Sequence, residues 1–236
     1  MLRSFRFGEA DRVLHIYTLE RGRVGAVAKG VRRTKSRFGA RLEPLSHVEL
    51  VLHHGSGELA TVTGADLIRS HRSAREDPYR LGVALIGLEA MLRLFSEQEA
   101  NRRAFSALTR FLDVADELPS RAPARPALDP LALAFQLKLL WLSGYLPHLG
   151  SCAECGSDAA LVGFLPSAGG AVCGSCSAGA VNVSAAGFAA IDGFLRAPLA
   201  EAGAVAAGDR ESREALAVIA GTYEYHGGFR LRTLSA

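Results

Sequence analysis

Gly144-Tyr145-Leu146-Pro147-His148-Leu149-Gly150-Ser151-Cys152-Ala153-Glu154-Cys155-Gly156, followed further on by Cys173-Gly174-Ser175-Cys176, holds all four cysteines of the 236-residue chain. Two C-x2-C pairs with 17 residues between them have zinc-site spacing. Two residues between thiolates let one tight turn aim both sulfurs at a single ion. Gly156 and Gly174 stand beside these knuckles, where the backbone must fold back. Four thiolates complete a tetrahedral shell with no open position, so the expected zinc builds structure and activates no water. Leu161–Leu165 and Ala171–Cys173 flank Pro166-Ser167-Ala168-Gly169-Gly170, which predicts a two-stranded ribbon closed by a turn. Two disulfides would need an oxidising compartment, and Arg3, Arg6, Glu9 and Asp11 interrupt any export signal. A redox C-x-x-C would be expected near a βαβ pattern, which the neighbouring sequence lacks.

The composition, 49% hydrophobic and 22% charged, is that of a packed globular protein. The most apolar run, Leu131–Leu142, is too short to span a bilayer and contains Gln136 and Lys138. The expectation is a cytoplasmic protein without a membrane partner. A net charge of +3 hides a division: residues 1–77 carry 14 Lys/Arg against 9 Asp/Glu, and the remainder 13 against 15. From Arg21 to Arg41 there are eight basic residues (Arg21, Arg23, Lys29, Arg32, Arg33, Lys35, Arg37 and Arg41) and no acidic one. A cluster of one sign is the electrostatic footprint of a phosphate-backbone binder.

The first 70 residues read as β structure. Val13–Leu19 and Arg23–Lys29 are strands about an Arg21-Gly22 turn, Leu45–His53 alternates apolar and polar positions, and Gly55-Ser56-Gly57 turns into Leu59–Ala65. Short strands joined by glycine turns, with no helix between most of them, predict a small barrel. The loop Gly30–Arg41 suits a mobile arm that orders on nucleic acid. Phe38 within it and Tyr17 beside it offer rings for base stacking. The reading preferred for Phe38 is an anchor that fixes the loop to the barrel, and for Tyr17 the bland alternative is ordinary strand filling. After Arg75 the period becomes helical. Asp77-Pro78 starts a helix with an apolar stripe at Leu81, Leu85, Leu88, Leu92 and Phe95. Phe105, Leu108, Leu112 and Ala115 mark a second helix, and Pro119, Pro123 and Pro126 a stiff exposed connection. Asp129-Pro130 caps a third helix, apolar on nearly all sides, in which Trp141 is expected in the core. Beyond the ribbon, Ser184 caps a helix carrying Phe188, Ile191, Phe194 and Leu195, and Glu211–His226 is the last helix.

Catalytic patterns are missing. There is no P-loop, no G-x-S-x-G and no acidic cluster suited to two-metal nuclease chemistry. His53-His54 puts neighbouring side chains on opposite faces of a strand, and His148 is not needed by a shell of four thiolates. The reading is a binding protein, not an enzyme. The alternative class is a zinc-ribbon interaction scaffold whose charge serves an acidic protein partner.

Three stretches, Gly8-Glu9-Ala10-Asp11-Arg12, Ala28-Lys29-Gly30-Val31-Arg32-Arg33 and Phe38-Gly39-Ala40-Arg41-Leu42-Glu43-Pro44, resemble the amino-terminal domain of the bacterial RecO family of recombination mediators. Gly144–Leu149 followed by Cys152-x-x-Cys155-Gly156 resembles the entry to that family's zinc finger. The resemblance implies an α+β multidomain fold: an N-terminal OB-fold β-barrel (1–72) and a C-terminal α-helical domain (73–150 and 178–236) with an inserted four-cysteine zinc ribbon (151–177). It implies binding of single- and double-stranded DNA, annealing of complementary strands, and partnership with RecR, with the acidic C-terminal tail of SSB and indirectly with RecA, in a nucleoid-associated protein. It places the DNA-binding region on Lys29, Arg32, Arg33, Lys35, Arg37 and Arg41, and structural zinc on Cys152, Cys155, Cys173 and Cys176. Similar proteins carry about one strand's worth of residues before Leu2-Arg3, so a barrel short of its first strand, with an open sheet edge, is also expected.

Overall fold

A computed structural model describes residues 1–33, 36, 38–55, 57, 59–120 and 125–234. The chain forms two compact units, Met1–Ala84 with Met91–Ser120, and Leu85–Ala90 with Arg121–Ala236.

The first unit is built on five strands: β1 (Arg3–Phe7), β2 (Asp11–Thr18), β3 (Gly22–Ala28), β4 (His47–His53) and β5 (Ala60–Arg69). Their order is β1-β2-β3-β5-β4, antiparallel except for β3 against β5. A three-stranded meander whose third strand runs parallel to the fifth, with the fourth beyond it, is the strand order of an OB fold. The segment that follows Leu2 forms β1, paired with β2 over all five of its residues, and β1 and β4 stand at the two ends of the sheet order. No ladder joins β1 to β4 among the described residues. They meet where Leu45 N donates to Met1 O (3.2 Å) and the Met1 amino group to Ser46 O (3.0 Å).

Side-chain alternation sends Leu14, Ile16, Ala26, Ala28, Ala60, Val62 and Ala65 into one core, with Val48, Leu50 and Leu52 against it. The β2–β3 turn requires glycine: Gly22 has φ +63°, and a Cβ there would lie 2.0 Å from the Glu99 carbonyl oxygen. The unit also contains α1 (Arg72–Glu76) and α3 (Arg102–Glu117). His71, fully buried, bonds the Leu45 carbonyl oxygen (2.8 Å) through one ring nitrogen and Asp113 (2.9 Å) through the other.

The helix α2 (Pro78–Leu94) starts as its sequence predicts, with the Asp77 side chain accepting from Arg80 N at 2.9 Å. Its buried apolar side chains are Tyr79, Val83, Ala84, Ile86, Leu88, Ala90 and Met91, whereas Leu85 of the expected stripe is exposed. Apolar residues surround this helix, so more than one stripe satisfies a period of 3.6 and spacing alone does not select among them.

The second unit is organised by α4 (Pro130–Leu142), capped by Asp129 and buried along nine of its residues. Packed with it are α5 (Ala185–Arg196), with Ser184 accepting from Gly187 N, and α6 (Asp209–Tyr225). Buried Gln136 on α4 is satisfied at both ends: its amide nitrogen donates to Ile86 O, and its oxygen accepts from the Tyr223 hydroxyl. Trp141 departs from expectation, being 56% exposed. It lies in the last turn of a helix that is apolar all round, where sequence cannot say which side faces solvent. The ribbon gains a strand over its predicted two: β6 (Leu161–Leu165) pairs with β7 (Gly170–Cys173) on one side and β8 (Val181–Asn182) on the other.

Candidate nucleic-acid interface and candidate metal centre

The four predicted cysteines converge. Their Sγ atoms all lie within 4.8 Å of one another, with Cys155 and Cys173 at 3.9 Å. A tetrahedral zinc with bonds of about 2.3 Å separates its sulfurs by roughly 3.8 Å, so the donor set fits that ion in number, type and spacing. The first knuckle is a tight turn in which Gly156 N donates to Cys152 O (2.8 Å), with Gly156 at φ +72°. Gly174 needs no such conformation; it opens a short 3₁₀ turn carrying Cys176.

The Cys173 amide donates to Cys152 Sγ at 3.4 Å, and backbone donors hold the Cys152 thiol down at about 6. The neighbouring Cys155 sulfur, ahead of burial, pushes Cys176 up to about 12. The apposed thiols therefore resist carrying four negative charges unless a cation neutralises them. His148 is engaged elsewhere. Its ring bonds the Ser151 hydroxyl (2.9 Å), and its backbone pairs with the ribbon, His148 N to Gly169 O and Ala171 N to His148 O. That pairing explains Gly170, where a Cβ would lie 2.3 Å from the His148 carbonyl oxygen.

Among the predicted DNA-binding residues, Lys29, Arg32, Arg33 and Arg41 are exposed, while Lys35 and Arg37 lie outside the described residues. The start of the basic loop is fixed to the β1–β2 turn by three bonds. Gly30 N donates to Asp11 Oδ1 (2.7 Å), Arg32 N to Ala10 O (2.9 Å) and the Arg32 guanidinium to Glu9 O (2.9 Å). Its far end is anchored by Phe38 and Leu42, both in the barrel core. Phe38 is 2% exposed and fills the anchoring role, with its ring away from solvent. Tyr17 is also buried, its ring 5.6 Å from that of Phe95. Neither ring is available to a base.

Sequence reasoning passed over the aromatic residues that are exposed, Phe5 at 36% and Phe7 at 55% on β1. The signal was Phe5 and Phe7 alternating with Ser4 and Arg6, a period-two pattern in a segment not read as a strand. Elsewhere in this unit Arg12 pairs with Glu43 (3.4 Å) and Arg23 with Glu97 (3.4 Å).

Comparison with known proteins accounts for nearly the whole chain. Residues 1–71 match the family described as recombination protein O N terminal, and residues 75–235 the one described as recombination protein O C terminal. A DNA repair protein RecO of Rubrobacter xylanophilus is 44% identical over 75% of this chain and 68% of its own length. Those of Frankia casuarinae and Thermobifida fusca are each 38% identical, over 99% and 96% of this chain and 94% and 90% of their own lengths.

Proposed function

This chain belongs to the RecO family of DNA repair proteins, and from that premise we propose that it binds single- and double-stranded DNA and anneals complementary strands. The observation that carries the reading is a one-signed loop fixed to a sheet of OB-fold order, with Lys29, Arg32, Arg33 and Arg41 exposed along it. Cations held on a rigid rim neutralise phosphates and release counterions, which brings two like-charged strands within pairing distance. Lys35 and Arg37 belong to the same proposed set. The protein acts by binding and carries no catalytic group in this reading. Zinc closes the Cys152, Cys155, Cys173 and Cys176 cluster as a structural ion.

The domain division that goes with this reading is a barrel over 1–72 and a helical domain interrupted by the ribbon at 151–177. The partners proposed are RecR, the acidic SSB tail and, through them, RecA, in the cytoplasm on the nucleoid. The protein-docking alternative draws support from Trp141 and Tyr145, two exposed aromatics at the end of α4 and just beyond it.

Annealing of two complementary labelled oligonucleotides, followed by energy transfer, tests the function. The protein should speed pairing at low salt, and Arg32→Ala/Arg33→Ala/Lys35→Ala should remove most of that gain. Wild-type protein that leaves the pairing rate unchanged would refute the annealing role and favour the docking alternative.

A further inference from the structure

We propose that the outward face of α3 is a second phosphate site, which holds one nucleic-acid strand while the basic loop holds another. The inference rests on the nucleic-acid reading of the same unit and deepens it, because annealing needs two strands on one protein. The helical period builds the face. Ala104, Leu108, Phe111, Leu112 and Ala115 are buried, which turns Arg102, Arg103, Ser106 and Arg110 to solvent. Arg103 and Arg110 stand two turns apart, about 10.5 Å along the axis, roughly three phosphate spacings of about 3.4 Å along one strand of a duplex.

Four exposed arginines on other helices meet a carboxylate one turn away, in the pairs Arg72–Glu76, Arg196–Asp192, Arg210–Glu214 and Arg213–Asp209. The residues four places on from Arg102, Arg103 and Arg110 are Ser106, Ala107 and Val114, so α3 offers its arginines no such partner. Most of the nearby acids are committed elsewhere. Asp113 is held by His71 and Arg69, Glu117 by Arg69, and Glu97 by Arg23, while Asp116 accepts from Ala74 N. Glu99, just before the helix, makes no ion pair among the described residues, which leaves three arginines against one free carboxylate. The first turn adds to the field. Asn101 Oδ1 accepts from Ala104 N (2.9 Å), while the amides of Arg102 and Arg103 have no acceptor among the described residues. The positive end of the helix dipole favours an anion there. Phe105 turns its ring to His47 and Phe111 is buried, so the face presents charge without stacking rings. It reads phosphate and not base, and takes a strand of any sequence.

The two cationic surfaces stand at opposite ends of β2. The basic loop is tied to Asp11 through Gly30 N. At the other end α3 begins, where Gln98 N donates to Arg23 O (3.0 Å) and the Glu99 carbonyl covers Gly22 beside Thr18. From Asp11 to Thr18 the strand covers about 23 Å at about 3.3 Å per residue, too far for one phosphate to serve both surfaces. Two strands therefore sit on one chain without competing, each with its charge neutralised.

Titration of the full chain at low salt with a labelled oligothymidylate too short to span the two surfaces tests this. Wild-type protein should saturate at two strands per chain, and the second should dissociate with a salt slope of about 2, since three contacts contribute about 0.7 each. Arg102→Ala/Arg103→Ala/Arg110→Ala should saturate at one strand, with the affinity and salt slope of the first unchanged. It should also anneal complementary strands about tenfold or more slowly, the loss expected when a strand is no longer steered to the protein. Arg102→Lys/Arg103→Lys/Arg110→Lys keeps the charge and should take up two strands again, which separates charge from folding. Saturation of the wild type at one strand, two strands on the alanine variant, or one on the lysine variant would overturn the second site while leaving the basic loop in place. Failure of the wild type to bind any strand at low salt would overturn both readings. Displacement of the second strand by an equal concentration of polyglutamate would assign the face to an acidic protein segment and refute the proposal.

Discussion

Replacing Phe38 separates an anchor from a ligand. The ring is 2% exposed and shares the barrel core with Leu14, Ile16, Leu42 and Val62. A buried phenylalanine removes about 150–250 Å² from water, which at about 25 cal/mol per Å² corresponds to roughly 4–6 kcal/mol. An extended reference chain overstates that area, and core Phe→Ala changes cost about 3–5 kcal/mol. Phe38→Ala should therefore lose about 3–5 kcal/mol in urea unfolding with an unchanged m-value, a large share of a typical domain's stability. Phe38→Leu keeps an apolar filler and should cost roughly 1.5 kcal/mol or less. The leucine variant should bind single strands with wild-type affinity and salt dependence, because no contact to phosphate has been removed. Loss of less than about 1 kcal/mol in the alanine variant, together with a tenfold fall in single-strand affinity of the leucine variant, would show that the ring serves the ligand and refute the anchoring assignment.

Protein prepared without chelator should hold about one zinc per chain. Chelation should loosen β6, β7 and β8 to hydrogen exchange while the five-stranded sheet keeps its protection; equal loss in both would contradict a local structural ion. Tyr223→Phe should cost about 1–3 kcal/mol in chemical unfolding, because it leaves the buried Gln136 oxygen without its donor. A neutral outcome would mean that the pair is dispensable. The Ser120 hydroxyl and then the Arg80 amide hold Asp77 below the usual carboxylate range, so the carboxylate form is favoured in the folded state. Its stabilisation is present above the unfolded value near 3.8 and is lost as pH falls through the lower folded value. Asp77→Ala should melt below wild type at pH 7, and the two should converge as pH drops below about 4. A gap independent of pH would rule out the carboxylate cap as its cause.

The parts legible in the sequence are those where one residue type has one physical use. Doubled C-x-x-C spacing placed four sulfurs together, and Asp77, Asp129 and Ser184 announced helix starts because a side-chain acceptor must meet free amides. Alternation in Leu45–His53 marked a strand, observed over His47–His53, whose Val48, Leu50 and Leu52 pack against the core. The misses share a different cause. β1 carries its aromatics outward, so the rule that hydrophobic positions mark the core works against recognising it. Trp141 and Leu85 sit on helices so apolar that period no longer identifies a buried face. Tyr17 follows its bland alternative as strand filling, although its partner, the ring of Phe95, lies 78 residues away where no local pattern records it.

The central claim, that the cationic rim of the barrel holds nucleic acid through its phosphates, is tested most directly by the salt dependence of single-strand affinity. Anisotropy titrations across monovalent salt should give a linear fall of log affinity with log salt. For Arg32→Ala/Arg33→Ala/Lys35→Ala the slope should be lower by about 2, since each lost contact on a single strand removes about 0.7. A wild-type protein that fails to bind at low salt, or a triple variant with the same affinity and the same slope, would contradict the account.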